Sequence, residues 1–215
     1  MHINTEGEEM SKEKNRTGKP RRKETRSQTG MGEGLCRTRP VLLPYGAASA
    51  VLREGVLQSV EWEGSRKRLE AVLSGKFPGA KEIDPGECMA GRLLLAYSGG
   101  QRVPVESVAA VPVDWDRVHG FRRVVLKELA KVPYGETTTY GELAARAGRG
   151  KAARAVGAAM SQNPWPVILP CHRVVGAGGK MVGFGRGIDA KRTLLAFEGR
   201  SADNETACPK NRQNG

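Results

Sequence analysis

Polar and apolar positions divide the chain into four stretches. Residues 1–36 hold almost no apolar side chains. Such a stretch buries too little surface to offset chain entropy, so a disordered basic extension is expected there. In residues 37–115 the segment "ASAVLREGVLQSVEW" alternates in two runs that turn at Glu54-Gly55, the pattern of a hairpin. "SRKRLEAVLSG" and "CMAGRLLLAYSGG" carry helical spacing and stop at glycines, and "VPVDW" closes the unit. The expectation is an α/β N-terminal domain with a small antiparallel sheet. Residues 116–199 read as a compact, mainly helical domain, and residues 200–215 as a disordered polar tail. No internal repeat is visible.

Within 116–199 the periodicity predicts three helices. "HGFRRVVLKELAKVPYG" places Phe121, Val124, Val125, Leu126 and Leu129 on a broad apolar stripe, with Pro133 and Gly135 beyond its end. "TTTYGELAARAG" opens with Thr139 and Glu142 in capping-box spacing and stops at Gly148. "GKAARAVGAAMSQNP" follows after a short turn, so these two segments read as a helix-turn-helix. On the last helix Val156 and Met160 form an i, i+4 core pair. Arg154, Gly157, Ala158 and Ser161 fall on another face, one arginine among very small side chains. Such a face permits close approach, either of a packed helix or of a nucleic-acid groove.

Charge narrows that choice. The net charge is +12, and residues 117–199 hold 14 basic against 5 acidic residues, whereas residues 37–116 hold ten of each. An excess confined to one domain-sized segment fits a module that meets phosphates, or a solvated basic surface. With the helix pair beside it, a nucleic-acid groove is the favoured reading. "KPRRK" at 19–23 is a nuclear signal, a nucleic-acid tail or a solvated run, and Met31 is a second candidate start. The longest apolar runs are far short of a membrane span, and no secretory signal is visible. Without such a signal, the sequon at Asn204 reads as chance. Four cysteines at 36, 88, 171 and 208 show no CxxC spacing, so neither a disulfide framework nor a zinc site is expected, and the compartment expected is cytoplasmic or nuclear.

The candidate chemistry lies in "PWPVILPCHRVVG", residues 164–176. A strand-like apolar run ends at Pro170, and Cys171 and His172 follow at once. A free thiol is little ionised at neutral pH, and an adjacent base raises its reactivity. His172 can serve as that base directly or through water. An imidazole base needs an acid to orient it, and Glu198 in "KRTLLAFEG" is the best candidate.

"PCHRVVG", preceded by "NPWPVILP" and by "TTYGELAARAGRGKAARAVGAAM", closely resembles the O6-alkylguanine-DNA alkyltransferases, also called methylated-DNA–protein-cysteine methyltransferases. The resemblance is strong over residues 117–199 and weak over 40–115. It implies a winged-helix-like C-terminal domain. It also implies stoichiometric transfer of an alkyl group from guanine O6 in duplex DNA, with thymine O4 as a second possible donor, to Cys171. No cofactor or metal is implied, and a monomer is expected. His172 would deprotonate Cys171 through a water, with Glu198 fixing the ring. Asn163 would brace the turn between recognition helix and active-site strand. Tyr140 would hydrogen-bond the leaving guanine and help rotate its phosphate, and Arg154 would fill the base stack. Gly157, Ala158 and Ser161 would lie along the groove. The carbonyls of Cys171 and Val174 would accept from the guanine amino group, and the Gly185 amide would face the alkylated oxygen.

The chemistry of the lesion agrees with these roles. An alkyl group on guanine O6 is sheltered in the duplex and must be flipped out to react. A helix of alanine and glycine fits the minor groove, about 6 Å wide. The thioether product offers no route to turnover. Two departures from the family pattern stand out in "GFGRG": Phe184 lacks a hydroxyl and Arg186 replaces a small residue, at the wall of the guanine pocket. Arg186 either swings to solvent or leans over the pocket mouth. "HGF" at 119–121 is a third departure, at the start of the first helix of this segment. Two other classes compete with the alkyl transferase. One is a lesion sensor that flips without transfer, against which Cys171 argues. The other is a helix-turn-helix regulator, which would need more polar side chains on its groove face.

Overall fold

The computed structural model describes residues 34–199. The amino-terminal extension, except residues 34–36, lies outside this range, as do the tail, the Asn204 sequon and Cys208. The first strand, β1 (Leu35–Thr38), begins inside the stretch expected to stand outside the fold, because Cys36 and Thr38 point into the core. It is followed by β2 (Val41–Leu42), β3 (Ala47–Arg53) and β4 (Val56–Glu63). The β3–β4 hairpin turns at Glu54 and Gly55 with φ of 52° and 79°. Two consecutive positive φ values match the right-handed twist of the flanking strands, and glycine takes the second at no steric cost. Helix α1 (Arg66–Lys76) starts where the Ser65 hydroxyl accepts from the Arg68 amide, and it runs one residue past Gly75. Its Leu69 and Leu73 pack on Ala47 and Val51 of β3.

The sheet corrects one expectation. Strand β5 (Lys81–Ile83) pairs parallel with β1, Cys36 opposite Lys81, so the five-stranded sheet is mixed and not antiparallel throughout. The physical reason is the intervening β2–β4 and α1, which return the chain to the same end of the sheet. Helix α2 (Met89–Ser98) is capped by Cys88 and stops at Gly99, and the short α3 (Val105–Ala109) leads to Val113, which bridges Leu57. The free edge of β4 is covered from both sides of the sequence. Leu57 donates to the Pro112 carbonyl at 2.7 Å and Val60 to the Pro164 carbonyl at 2.8 Å. An edge satisfied in this way offers little template for pairing with another chain.

Helix α4 (Gly120–Leu129) buries Val125, Leu126 and Leu129. Val124 is 44% exposed, so the predicted stripe was one residue too broad. Four apolar positions of that stripe already span the buried arc of a 3.6-residue helix, and Val124 falls outside it. Phe121 is half-buried under the Arg149 guanidinium, 5.0 Å away. Two-residue strand β6 (Thr138–Thr139) runs into α5 (Tyr140–Arg146), whose capping box is complete: Thr139 accepts from the Glu142 amide and Glu142 from the Thr139 amide. Helix α6 (Ala153–Ser161) packs on α4 and α5 and buries Val156 and Met160, as the spacing predicts.

The segment at 164–170 is a turn and not a strand. Pro166 bridges Leu169, and Val167 takes φ 71°, a conformation that a β-branched residue adopts only under constraint. Prolines at 164, 166 and 170 remove three ladder donors from the run. The chain then forms a short 3-10 turn at Cys171–Arg173 and strand β7 (Val174–Val175), which pairs parallel with β6. Helix α7 (Ile188–Gly199) closes the structure. One contiguous core runs from Cys36 to Leu194 through both predicted units. Among the described residues no helix is long and apolar enough to cross a membrane.

Candidate functional site

Cys171 sits at the start of the 3-10 turn, 7% exposed, on the wall of a cleft of about 1070 Å³. Asn163 builds the turn that presents it. Its Oδ1 accepts from the Trp165 amide at 3.0 Å and its Nδ2 donates to the Leu169 carbonyl at 2.9 Å. Burial pushes the Cys171 thiol up from its ordinary value. The Asn163 side chain, the backbone amides of the turn and Lys191 work against that rise. The resting sulfur is therefore a thiol with an environment ready to receive negative charge.

Behind the thiol lies a fully buried charge cluster. His172 is 0% exposed, and its Nε2 is 2.5 Å from Glu198 Oε1. A carboxylate at Nε2 selects the tautomer with the proton there and leaves Nδ1 as the basic nitrogen. Nδ1 is buried and has no hydrogen-bond partner among the described residues. Burial lowers the proton affinity of His172, with the Glu198 charge opposing, so the resting ring is neutral. Burial alone would raise the Glu198 carboxyl. The His172 ring and the Arg173 guanidinium more than reverse this and hold it well below the usual carboxylate range.

Arg173 is the counter-ion that makes this possible. Its Nε meets Glu198 Oε2 at 2.9 Å, its Nη2 meets Oε1 at 3.1 Å, and its Nη1 donates to the Val132 carbonyl at 2.8 Å. The Gly135 amide donates to Oε2 at 3.0 Å and the Tyr97 hydroxyl to Oε1 at 3.0 Å. Sequence reasoning missed Arg173, although it follows His172 directly, because an arginine beside a basic motif reads as a surface charge. It also missed Lys191, which is fully buried and donates to the Val174 and Val182 carbonyls. A helical wheel of α7 would have shown it, since Lys191, Leu194 and Glu198 share the buried face.

The predicted site residues fall into three groups. Tyr140, Arg154, Gly157, Ser161, Asn163, Cys171, Phe184, Gly185 and Arg186 all line the cleft. His172, Glu198 and Val174 lie behind it, and Ala158 is exposed on α6 outside the lining. The Tyr140 hydroxyl donates to the Gly183 carbonyl at 2.9 Å and so faces the 182–187 loop. A Cβ on Gly157 would sit 3.9 Å from the Tyr140 ring, an ordinary contact, so this glycine is not demanded by packing. The Val174 carbonyl expected to meet guanine already accepts from Lys191, and a carbonyl has a second lone pair.

Arg186 takes neither expected course in full. It lines the cleft, but its Nη1 pairs with Glu63 Oε1 at 2.7 Å, and its guanidinium lies 5.8 Å from the Trp62 ring. Phe184 stands 5.9 Å from the same ring. The "GFGRG" loop is thereby fastened to β4, which supplies Ser59, Glu61 and Trp62 to the opposite wall. No group of three or more His, Cys, Asp or Glu suited to a metal ion occurs among the described residues.

Residues 120–200 match the family described as 6-O-methylguanine DNA methyltransferase, DNA binding domain. A methylated-DNA–protein-cysteine methyltransferase of Mycolicibacterium paratuberculosis is 54% identical over 80 residues, 37% of this chain and 48% of that protein. That match thus spans about half the length of the curated relative. The crystal structure of the Mycobacterium tuberculosis O6-methylguanine methyltransferase superposes with a TM-score of 0.61 at 32% identity, covering 79% of this chain and 95% of that one. The M. tuberculosis protein OGT in complex with DNA superposes with a TM-score of 0.59 at 33% identity, covering 75% and 91%. With the thiol, the turn that presents it and the buried charge cluster in place, the chain belongs to the methylated-DNA–protein-cysteine methyltransferase family.

Proposed function

We propose that the protein repairs alkylated DNA by moving an alkyl group from guanine O6 to Cys171, once per molecule. The observation that carries this is the position of Cys171: its thiol opens onto a large cleft, while His172 and the ionised Glu198 stand behind it. His172 Nδ1 takes the thiol proton through a water. The thiolate attacks the alkyl carbon, a sulfur–carbon bond forms, and the carbon–O6 bond breaks with its electron pair left on guanine. The Tyr140 hydroxyl turns from the Gly183 carbonyl to hydrogen-bond the departing base and lowers the barrier. The thioether has no hydrolytic group aimed at it, so the protein is consumed.

Duplex DNA is the proposed partner, consistent with the M. tuberculosis relative solved with DNA. Helices α5 and α6 act as a helix-turn-helix whose Gly157, Ala158 and Ser161 face enters the minor groove. Arg154 takes the place of the flipped nucleotide. Thymine O4 is a second alkyl donor within the same cleft. The test is incubation with duplex DNA bearing O6-methylguanine, followed by peptide mapping. Methyl on Cys171 supports the reading, and methyl elsewhere or none refutes it. A lesion sensor would bind this DNA and stay unmodified.

A further inference from the structure

Glu198 is reached by a hydroxyl from a distant part of the chain. Tyr97 lies on α2 of the amino-terminal segment, 101 positions before Glu198, and is 2% exposed. Its ring stands edge-on to Tyr134 at 5.9 Å and to His172 at 6.2 Å, and tilts on Phe197 at 5.7 Å. These contacts fix where the hydroxyl points. It donates to Glu198 Oε1, the same oxygen that faces His172 Nε2.

We propose that Tyr97 is a positioning residue for alkyl transfer, its hydroxyl holding the Glu198 oxygen that faces His172 and taking up part of that oxygen's charge, so that the amino-terminal segment sets the basicity of the catalytic imidazole. The inference rests on the proposed alkyl transfer. The other charged and titratable groups facing Glu198 are His172 and Arg173, with Tyr134 under the Arg173 guanidinium and Lys191 and Cys171 beyond His172. The Gly135 amide completes the set. A carboxylate offers about four lone-pair sites, and five donor contacts crowd them, two from Arg173 and one each from His172, Gly135 and Tyr97. Burial and the neighbouring Glu198 charge raise the Tyr97 phenol well above its ordinary value, so it stays a donor throughout the working range. A donor on Oε1 competes with the imidazole for the charge of that oxygen. Its removal returns charge to the imidazolium form and raises the proton affinity of His172.

The test is the pH profile of the transfer rate in Tyr97→Phe, which keeps the ring and removes only the hydroxyl. The resting pair is a thiol and a neutral imidazole, so the acid limb reports protonation of His172. That limb should move up by about half a pH unit, a threefold gain in proton affinity, the size of one modest hydrogen bond. Site-specific 3-fluorotyrosine at 97 gives the second measurement: a stronger donor of the same shape should move the limb down. Limbs that coincide with the wild type in both variants, with only thermal stability changed, would make Tyr97 a packing residue and overturn the proposal. Should Tyr97→Phe fail to fold, an unmoved limb with fluorotyrosine overturns it alone. The same profile read by iodoacetamide labelling of Cys171, resolved at peptide level, separates the two claims. A wild type that accepts no methyl from DNA, with the labelling profile of Tyr97→Phe displaced from the wild type's as stated, refutes the function and not the role of Tyr97.

Discussion

Two single residues, His172 and Glu198, set how stability depends on acidity. Burial holds His172 neutral in the folded protein, against the opposing Glu198 charge. The unfolded chain, with an imidazole near about 6.5, binds a proton that the native ring does not. The contribution of His172 is therefore fully present above about pH 6.5 and falls as pH drops below it. Glu198 acts later. Its depressed carboxyl gives stability present above the ordinary carboxylate range, about 4.3, and lost only as pH falls through the lower native value. The urea midpoint should begin to fall near pH 6.5, and His172→Gln should remove the loss between about 6.5 and 5. A wild-type midpoint that is level from pH 7 to 5 would contradict a buried neutral His172. Much of this cluster was legible in the chain: Cys171 and His172 are adjacent, and Glu198 stands at the end of a helical pattern. Arg173 and Tyr97 were not, because a cation or phenol shows its partner only when the chain is folded, and Lys191 was legible only as a position on the buried face of α7. Their roles depend on contacts up to 101 positions apart.

At the scale of elements, local rules did well where the physics is local. The Glu54-Gly55 turn and the Thr139–Glu142 capping box depend on neighbouring residues and appear where the spacing puts them. The run at 164–170 misled because its apolar content suits a strand, while three prolines and the bonds of Asn163 fold it into a turn. The parallel β1–β5 pairing was not legible at all, since nothing short-range encodes it. Two predictions belong here. On α6, Arg154→Ala should slow transfer from duplex DNA by about tenfold or more, because unstacking one step costs a few kcal/mol, and should leave reaction with the free base O6-benzylguanine almost unchanged. Equal losses on both substrates would make Arg154 structural. On the loop, Arg186 is tied to Glu63 and Trp62 across the cleft. Arg186→Gly removes that wall and should speed reaction with O6-benzylguanine more than with O6-methylguanine in DNA, by about tenfold in the ratio of second-order rates, the size a pocket contact commonly carries. An unchanged ratio would leave Arg186 with no part in choosing the alkyl group.

At the scale of the whole molecule, a basic half presents the cleft while the amino-terminal sheet and α2 supply its far wall and one bond to its charge cluster. The charge imbalance of residues 117–199 was legible in the sequence, but that Arg154 and Cys171 line one cleft came only from the folded chain. Binding through such a surface releases counterions, so affinity for duplex DNA should fall steeply with salt. Cys171→Ala should keep that binding and its salt slope, because the helices and their charges are untouched. A variant that loses DNA affinity would show that the thiol region is part of the binding surface itself. Cys171 itself is the proposed acceptor of the alkyl group. The decisive measurement is the intact mass of the protein after incubation with duplex DNA carrying a single O6-methylguanine. The expected result is the gain of one methyl group per molecule, no further gain with excess DNA, and none in Cys171→Ala. Repair of the DNA by Cys171→Ala, or repeated repair by an unmodified wild-type protein, would contradict it.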